Sequence, residues 1–154
     1  MRLVEFKELY EVHKNQVFNL ALQYVQNMED AQEITQDVFV KVYQKIDNFR
    51  HDAKLSTWIY RITINASLDF LKAKKSQKRF AYITSIFKKE NTALKHDHSD
   101  FNHPGVDMEQ KEKIKKIFEA INQLAENQRT AIILSKLEHK SVQEIADIMH
   151  VSYK

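Results

Sequence analysis

Apolar positions near the start of the chain recur at steps of three and four. Phe6, Leu9, Tyr10, His13, Val17, Leu20 and Tyr24 make one stripe, which predicts a helix from about Leu3 to Val25. His13 lies on that stripe and reads as a packed histidine rather than a ligand. Asn27 is a good N-cap, and Glu29 and Asp30 follow it where acids complement the helix dipole, so a second helix begins there. On this helix Ala31, Ile34, Val38, Phe39, Val42, Tyr43 and Ile46 share a core arc. The opposite arc collects Asp30, Glu33, Gln36, Asp37, Val40 and Gln44, an acidic and amide strip with one apolar residue in its middle.

A third helix is predicted from about Ser56 to Lys75, with Ser56 or Thr57 as its cap. It carries two apolar arcs. Trp58, Ile59, Ile62, Ala66, Phe70 and Ala73 form one, and Tyr60, Ile64, Leu68 and Leu71 form the other. Two arcs on one helix predict cover on two sides. Between them runs a narrow polar strip of Arg61, Asn65 and Lys72, with Asp69 one turn from Asn65. Such a strip can combine phosphate contacts from the cations with a base-edge contact from the amide. A plain alternative is a polar cluster in which Asp69 pairs with Lys72 and Asn65.

Composition narrows the fold. One Gly and one Pro in 154 residues leave few turns, and the abundance of Leu, Ala, Glu, Lys and Gln favours helix, so an all-α protein is expected. Pro104 and Gly105 are adjacent and end a polar stretch that begins near Lys88, which reads as a linker. Two small helical domains follow, 1–78 and 106–154, joined by a flexible linker over 79–105. With 43% hydrophobic and 29% charged residues the chain reads as globular. The absence of cysteine excludes disulfides and Cys-ligated zinc. The opening MRLVEFKELYEVHK has no apolar signal core, and no run of about 18 apolar residues occurs, so a cytoplasmic location is expected.

A net charge of +3 conceals a strong asymmetry. Residues 49–89 carry 10 basic and 2 acidic side chains, whereas 1–48 carry 5 and 8, and 90–154 carry 9 and 11. A basic block between mildly acidic ones is the footprint expected for a phosphate backbone or an acidic surface. It begins in the loop DNFRHDAKL, where Arg50, His51 and Lys54 precede Ser56, Thr57 and Trp58. Aromatic, basic and hydroxyl groups at one junction suit an unstacked base, which needs a stacking surface, polar edges and phosphate neutralisation.

The run Asp30, Ala31, Glu33, Gln36, Asp37 and Phe39, then Phe49, Trp58, Ile59, Ile62, Asn65, Asp69 and Lys72, resembles region 2 of the extracytoplasmic-function sigma factors of the sigma-70 superfamily. Leu124 to Arg129, followed by Ser141 to Ala146 and Met149, is similar to the first part of region 4. The resemblance implies a bacterial transcription initiation factor with no catalysis of its own and no cofactor. It implies that Asp30, Glu33, Gln36, Asp37, Val40 and Gln44 dock on the β′ clamp of core RNA polymerase, and that region 4 meets the β flap. It implies that Arg50, His51, Lys54, Ser56, Thr57, Trp58, Arg61, Asn65, Lys72 and Lys75 recognise and open the promoter minus-ten element. An anti-sigma factor is the third partner implied.

This chain departs from the family pattern at four places. Lys72 stands where Arg is usual, which exchanges a bidentate fork for a point charge. Ala125 replaces a common Pro, and Lys140 and His150 occupy positions where Gly is frequent. Ser141 and Glu144 form a capping box that opens a short helix to about Met149, with the turn at His150 to Ser152. The family's recognition helix would come next, and only Tyr153 and Lys154 remain, so loss of minus-thirty-five reading is expected. Rival readings are a helical protein-interaction fragment without DNA binding, another helix-turn-helix regulator, and a metal site on His96, Asp97, His98, Asp100 and His103.

Overall fold

The computed structural model describes residues 3–88 and 108–152. Helices account for nearly all of them, and no strand occurs among the described residues. Helix α1 spans Leu3–Val25, the bounds the apolar spacing predicts, and α2 spans Met28–Lys45, starting after Asn27 as expected. Gln26 turns the chain between them in the left-handed region, with φ 48°. Asn27 caps α2 as expected, its side-chain oxygen accepting from the Asp30 N–H at 2.9 Å. A short 3-10 turn, Ile46–Asn48, then leads into the loop.

Helix α3 differs from its predicted form at both ends. It runs Leu55–Lys88, 34 residues. Ser56 and Thr57 lie inside its first turn rather than capping it, because the Trp58 N–H already donates to the Lys54 carbonyl at 3.1 Å. At the other end no Gly or Pro interrupts the sequence past Lys75, so the helix continues through 79–88, which the expected domain bounds had given to the linker. Pro104, Gly105 and the histidine cluster His96 to His103 lie outside the described residues.

Helix α4 (Met108–Asn122) packs lightly on α5, Glu126–Ile132. The turn between them is fastened by Arg129, whose guanidinium donates to the Asn122 carbonyl. α5 widens at its end into a π-helical stretch, Ile133–Leu137, where the Glu138 N–H reaches back to the Ile133 carbonyl at 2.9 Å. α6 spans Val142–Met149 and opens on the expected capping box. The Ser141 hydroxyl accepts from the Glu144 N–H at 3.1 Å, and the Glu144 carboxylate accepts from the Ser141 N–H at 2.8 Å. His150 closes α6 in the left-handed region. Ahead of α6 it is His139, not Lys140, that takes the left-handed conformation usually given to Gly.

Two apolar clusters hold the molecule, and α3 lies between them. The first joins α1 and α2 to one arc of α3 through Val17, Ala21, Ile34, Val38, Val42, Ile59 and Ala66. The second joins Leu20 and Tyr24 of α1 and Tyr60 and Ile64 of α3 to Ile121, Ile133, Leu134 and Ile148 from the far side of the linker. The two arcs read from the sequence thus meet two different bodies of protein. Each fully buried Leu or Ile contributes about 1.5–3 kcal/mol. Thr63 and Ser67, both fully buried, fill the gap between the arcs. Their hydroxyls donate to the carbonyls of Ile59 and Thr63, each at 2.8 Å, so these small side chains allow close packing without an unpaired polar group.

Two expected core residues sit differently. Tyr43 is 52% exposed and meets Phe6 edge-on at 5.0 Å. Tyr10 reaches the first cluster only by its ring edge against Phe39, at 4.7 Å. His13 is half-buried beside Gln16 on the stripe.

Candidate polymerase and nucleic-acid interfaces

The polar arc of α2 is a continuous exposed surface. Glu33, Gln36, Asp37 and Gln44 are exposed around Val40, itself 55% exposed, and Tyr43 borders them. An acidic strip with an apolar centre is chemically suited to a basic partner surface. Asp30, read with this strip from sequence, is set apart from it. Its carboxylate pairs with Lys74 Nζ of α3 at 2.6 Å, and both side chains are largely covered. The reason is tertiary: α2 and α3 pack side by side, and the first turn of α2 meets the basic stretch of α3.

The loop after α2 is built around aromatic contacts. Phe49 lies 5.1 Å from Trp58 with the rings tilted by 37°, and His51 stands edge-on to Phe49 at 4.6 Å. His51 holds φ 57°, a left-handed conformation within this loop. Beside them is an open hollow of about 440 Å³, lined by Lys45, Asn48, Phe49, Arg50, Asp52, Trp58 and Arg61. Trp58 is half-buried, so one part of it serves the core and another faces this hollow. A planar group entering there would meet an indole wall and two guanidinium groups.

A second hollow, of about 270 Å³, is shared by both halves of the molecule. Lys54, Ser56, Thr57, Tyr60 and Arg61 line it from the α3 side, and Lys140, Glu144, Asp147 and Ile148 line it from α6. Here the polar strip of α3 is already engaged. Arg61 Nε donates to the carbonyls of Asp147 at 3.2 Å and Ile148 at 3.3 Å, and its Nη2 also donates to Asp147. Lys72 pairs with Glu126 of α5 at 3.3 Å, not with Asp69. Asn65 stays exposed. Lys75 stands apart from the loop, in a groove of about 470 Å³ that it shares with Leu71, Lys74, Lys78 and Phe118.

Several residues at this junction carried no sequence signal of their role. The Tyr60 hydroxyl donates to Glu138 Oε2 at 2.8 Å, and Lys140 Nζ lies 4.8 Å from the centre of the Tyr60 ring. Burial and the neighbouring Glu138 carboxylate push the Tyr60 phenol well above its ordinary range. Tyr24 and Thr130 share a buried hydrogen bond at 2.7 Å, and Asn122 donates to Gln26 at 2.8 Å. Desolvation pushes the Tyr24 phenol up to about 12, against the smaller opposing effects of Thr130 and Arg129. Their sequence spacing of about a hundred residues left no local pattern to read.

Among the described residues no group of His, Asp and Glu is placed to hold a metal ion, and no helix is long and apolar enough to cross a membrane.

The arrangement is that of a helical protein in two parts, and comparison with known proteins gives the class. The chain matches the family model Sigma-70 region 2 over residues 9–77 and Sigma-70, region 4 over residues 114–154. The ECF RNA polymerase sigma-E factor of Haemophilus influenzae is 32% identical over 146 residues, covering 94% of this chain and 75% of that protein. The RNA polymerase sigma-H factor of Pseudomonas aeruginosa is 30% identical over 139 residues, covering 89% and 70%. Among solved structures, CnrH in complex with the cytosolic domain of CnrY superposes with a TM-score of 0.64 at 16% identity, covering 98% of this chain and 77% of that one. The sigma factor RpoE from Bartonella quintana, in complex with the anti-sigma factor NepR, gives 0.62 at 22% identity, covering 96% and 84%. This chain therefore belongs to the ECF sigma factors of the sigma-70 family, which are transcription initiation factors.

Proposed function

We propose that this sigma factor docks on core RNA polymerase through the α2 strip of Glu33, Gln36, Asp37, Val40 and Gln44, and directs it to promoters by recognising and opening the minus-ten element. In this reading the hollow beside Phe49 and Trp58 receives an unstacked base, Arg50, His51 and Lys54 neutralise the adjoining phosphates, and Ser56 and Thr57 meet base edges. Arg61 and Lys72 take backbone phosphates on α3, Asn65 takes a base edge, and Lys75 adds a sequence-independent charge. The unit after the linker is assigned a contact with the polymerase β flap. A protein inhibitor of the anti-sigma class is the expected regulator, as for the Bartonella relative's partner NepR.

The observation that supports this best is the separation of the surfaces. An exposed acidic strip on α2 and an aromatic, basic hollow at the head of α3 belong to one rigid three-helix body. Holding DNA while bound to polymerase needs two such addresses at a fixed distance. The test is capture on immobilised core RNA polymerase, comparing the wild type with Asp37→Lys. Loss of capture is the expected result, and undiminished capture refutes the docking strip.

A further inference from the structure

The end of α3, residues 79–88, belongs to neither apolar cluster, and it carries large apolar side chains into solvent. Phe80 is 73% exposed, Tyr82 57%, Ile83 50%, Ile86 59% and Phe87 82%. They are exposed with the two halves packed together, so this face is open in the folded chain as it stands. At about 100° per residue these side chains lie within an arc of about 160°, while Lys78, Thr84, Ser85 and Lys88 take the opposite arc. Thr84 and Ser85 return their hydroxyls to the carbonyls of Phe80 and Tyr82, at 2.8 and 2.7 Å. The segment is an amphipathic helix whose apolar side is left uncovered by the described residues, and a contiguous exposed apolar face marks an interaction site.

Charge decides among the occupants. Between Asp69 and Glu90 the chain has seven cationic residues and no acid. Arg79 and Lys75 lie on the apolar side one and two turns before Ile83, both exposed, and exposed Lys88 ends the helix. A second copy of the helix would set like charges against each other. A nucleic-acid backbone would use the cations but offers nothing to Ile83 and Ile86. An anionic lipid surface uses both. The apolar side chains enter the acyl boundary, while the stems of Lys75, Arg79 and Lys88 are long enough to keep their charges among the headgroup phosphates. We infer that the end of α3 is a reversible anchor for an anionic lipid surface, lying in the plane of the interface with Phe80, Ile83 and Phe87 lowermost. The apolar arc is only about three turns long, so attachment depends on the cations as well and weakens with salt.

The test is flotation of the full chain with vesicles of phosphatidylcholine alone and of phosphatidylcholine with about 30% phosphatidylglycerol. The chain has no cysteine, so an environment-sensitive dye can be placed uniquely at Ile83→Cys on the apolar side or Ser85→Cys on the polar side. The expected results are flotation with the anionic vesicles only, loss of it at high salt, and a blue shift of the dye at position 83 but not at 85. Phe80→Ser combined with Phe87→Ser, at two exposed positions where folding does not depend on the ring, is expected to weaken vesicle binding about tenfold. Unchanged binding in that double variant, or equal shifts at both dye positions, overturns the anchor. Absence of flotation with anionic vesicles also overturns it and returns the face to a protein partner. Sedimentation of the free chain and titration with a mixed-sequence single-stranded oligonucleotide address the remaining occupants. A wild-type dimer that becomes monomeric in the double variant assigns the face to a second copy, and a parallel loss of oligonucleotide binding assigns it to nucleic acid; either result overturns the lipid anchor.

Discussion

Tyr60 of α3 donates its hydroxyl to Glu138, 78 residues further along the chain, at 2.8 Å, and Lys140 caps the same ring. One aromatic side chain thereby joins the first half's longest helix to the turn that introduces α6. Tyr60→Phe keeps the apolar packing and removes the hydrogen bond to a carboxylate, so the expected loss is about 1–2 kcal/mol. Urea unfolding, comparing midpoints at equal slope, checks it.

The buried Tyr24 phenol makes closure sensitive to alkali. Its folded pKa is raised to about 12 from the ordinary 10.0, so the folded form keeps a proton that the unfolded or separated form gives up. The stability from this group is full below about pH 10 and is lost as the pH rises towards 12. Following tyrosinate absorbance should show one fewer late-titrating phenol in Tyr24→Phe than in the wild type, the Tyr60 phenol remaining.

Asp30 and Asp37 lie two turns apart on α2 but are expected to behave differently. Asp30 is tied to Lys74 and Asp37 is exposed. Asp30→Ala is therefore expected to lower stability by about 1 kcal/mol, from the lost pair and the lost dipole interaction, while polymerase capture stays within about twofold. Thermal melting and the capture assay, run together, separate the two roles.

The capping box of α6 gives a prediction in acid. The Glu144 carboxyl is held below its usual range, first by accepting the Ser141 backbone N–H and then by the Ser141 hydroxyl. Its contribution is present above the ordinary glutamate range and is lost as the pH falls through the lowered folded value. Ser141→Ala is expected to cost about 1 kcal/mol at neutral pH. Circular dichroism melts at pH 7 and pH 3 should differ less in this variant than in the wild type.

His150 closes α6 with φ 55°, a conformation that a Cβ opposes. His150→Gly is expected to raise stability by up to about 1 kcal/mol, whereas a β-branched residue there lowers it. Melting temperatures of the Gly and Val variants test the sign.

Much of this protein was written locally. The steps of three and four set α1 to its observed bounds, Asn27 and Ser141 announced the starts of α2 and α6, and two arcs on α3 foretold cover on two sides. The exposed α2 strip was also legible, because a polar arc on an amphipathic helix has nowhere to face but solvent. The end of α3 lies beyond the expected Lys75 because 79–88, RFAYITSIFK, holds no Gly or Pro to stop the helix.

What covers the second arc, and where Asp30, Arg61 and Lys72 spend their charges, depended on tertiary structure alone. Pattern along a chain specifies which face is apolar, not which distant face it meets. Tyr24 finds Thr130 at a separation of 106 residues, and Arg61 finds the end of α6 at 86. Such contacts form because two separately patterned surfaces bury each other, and only the folded chain decides that pairing.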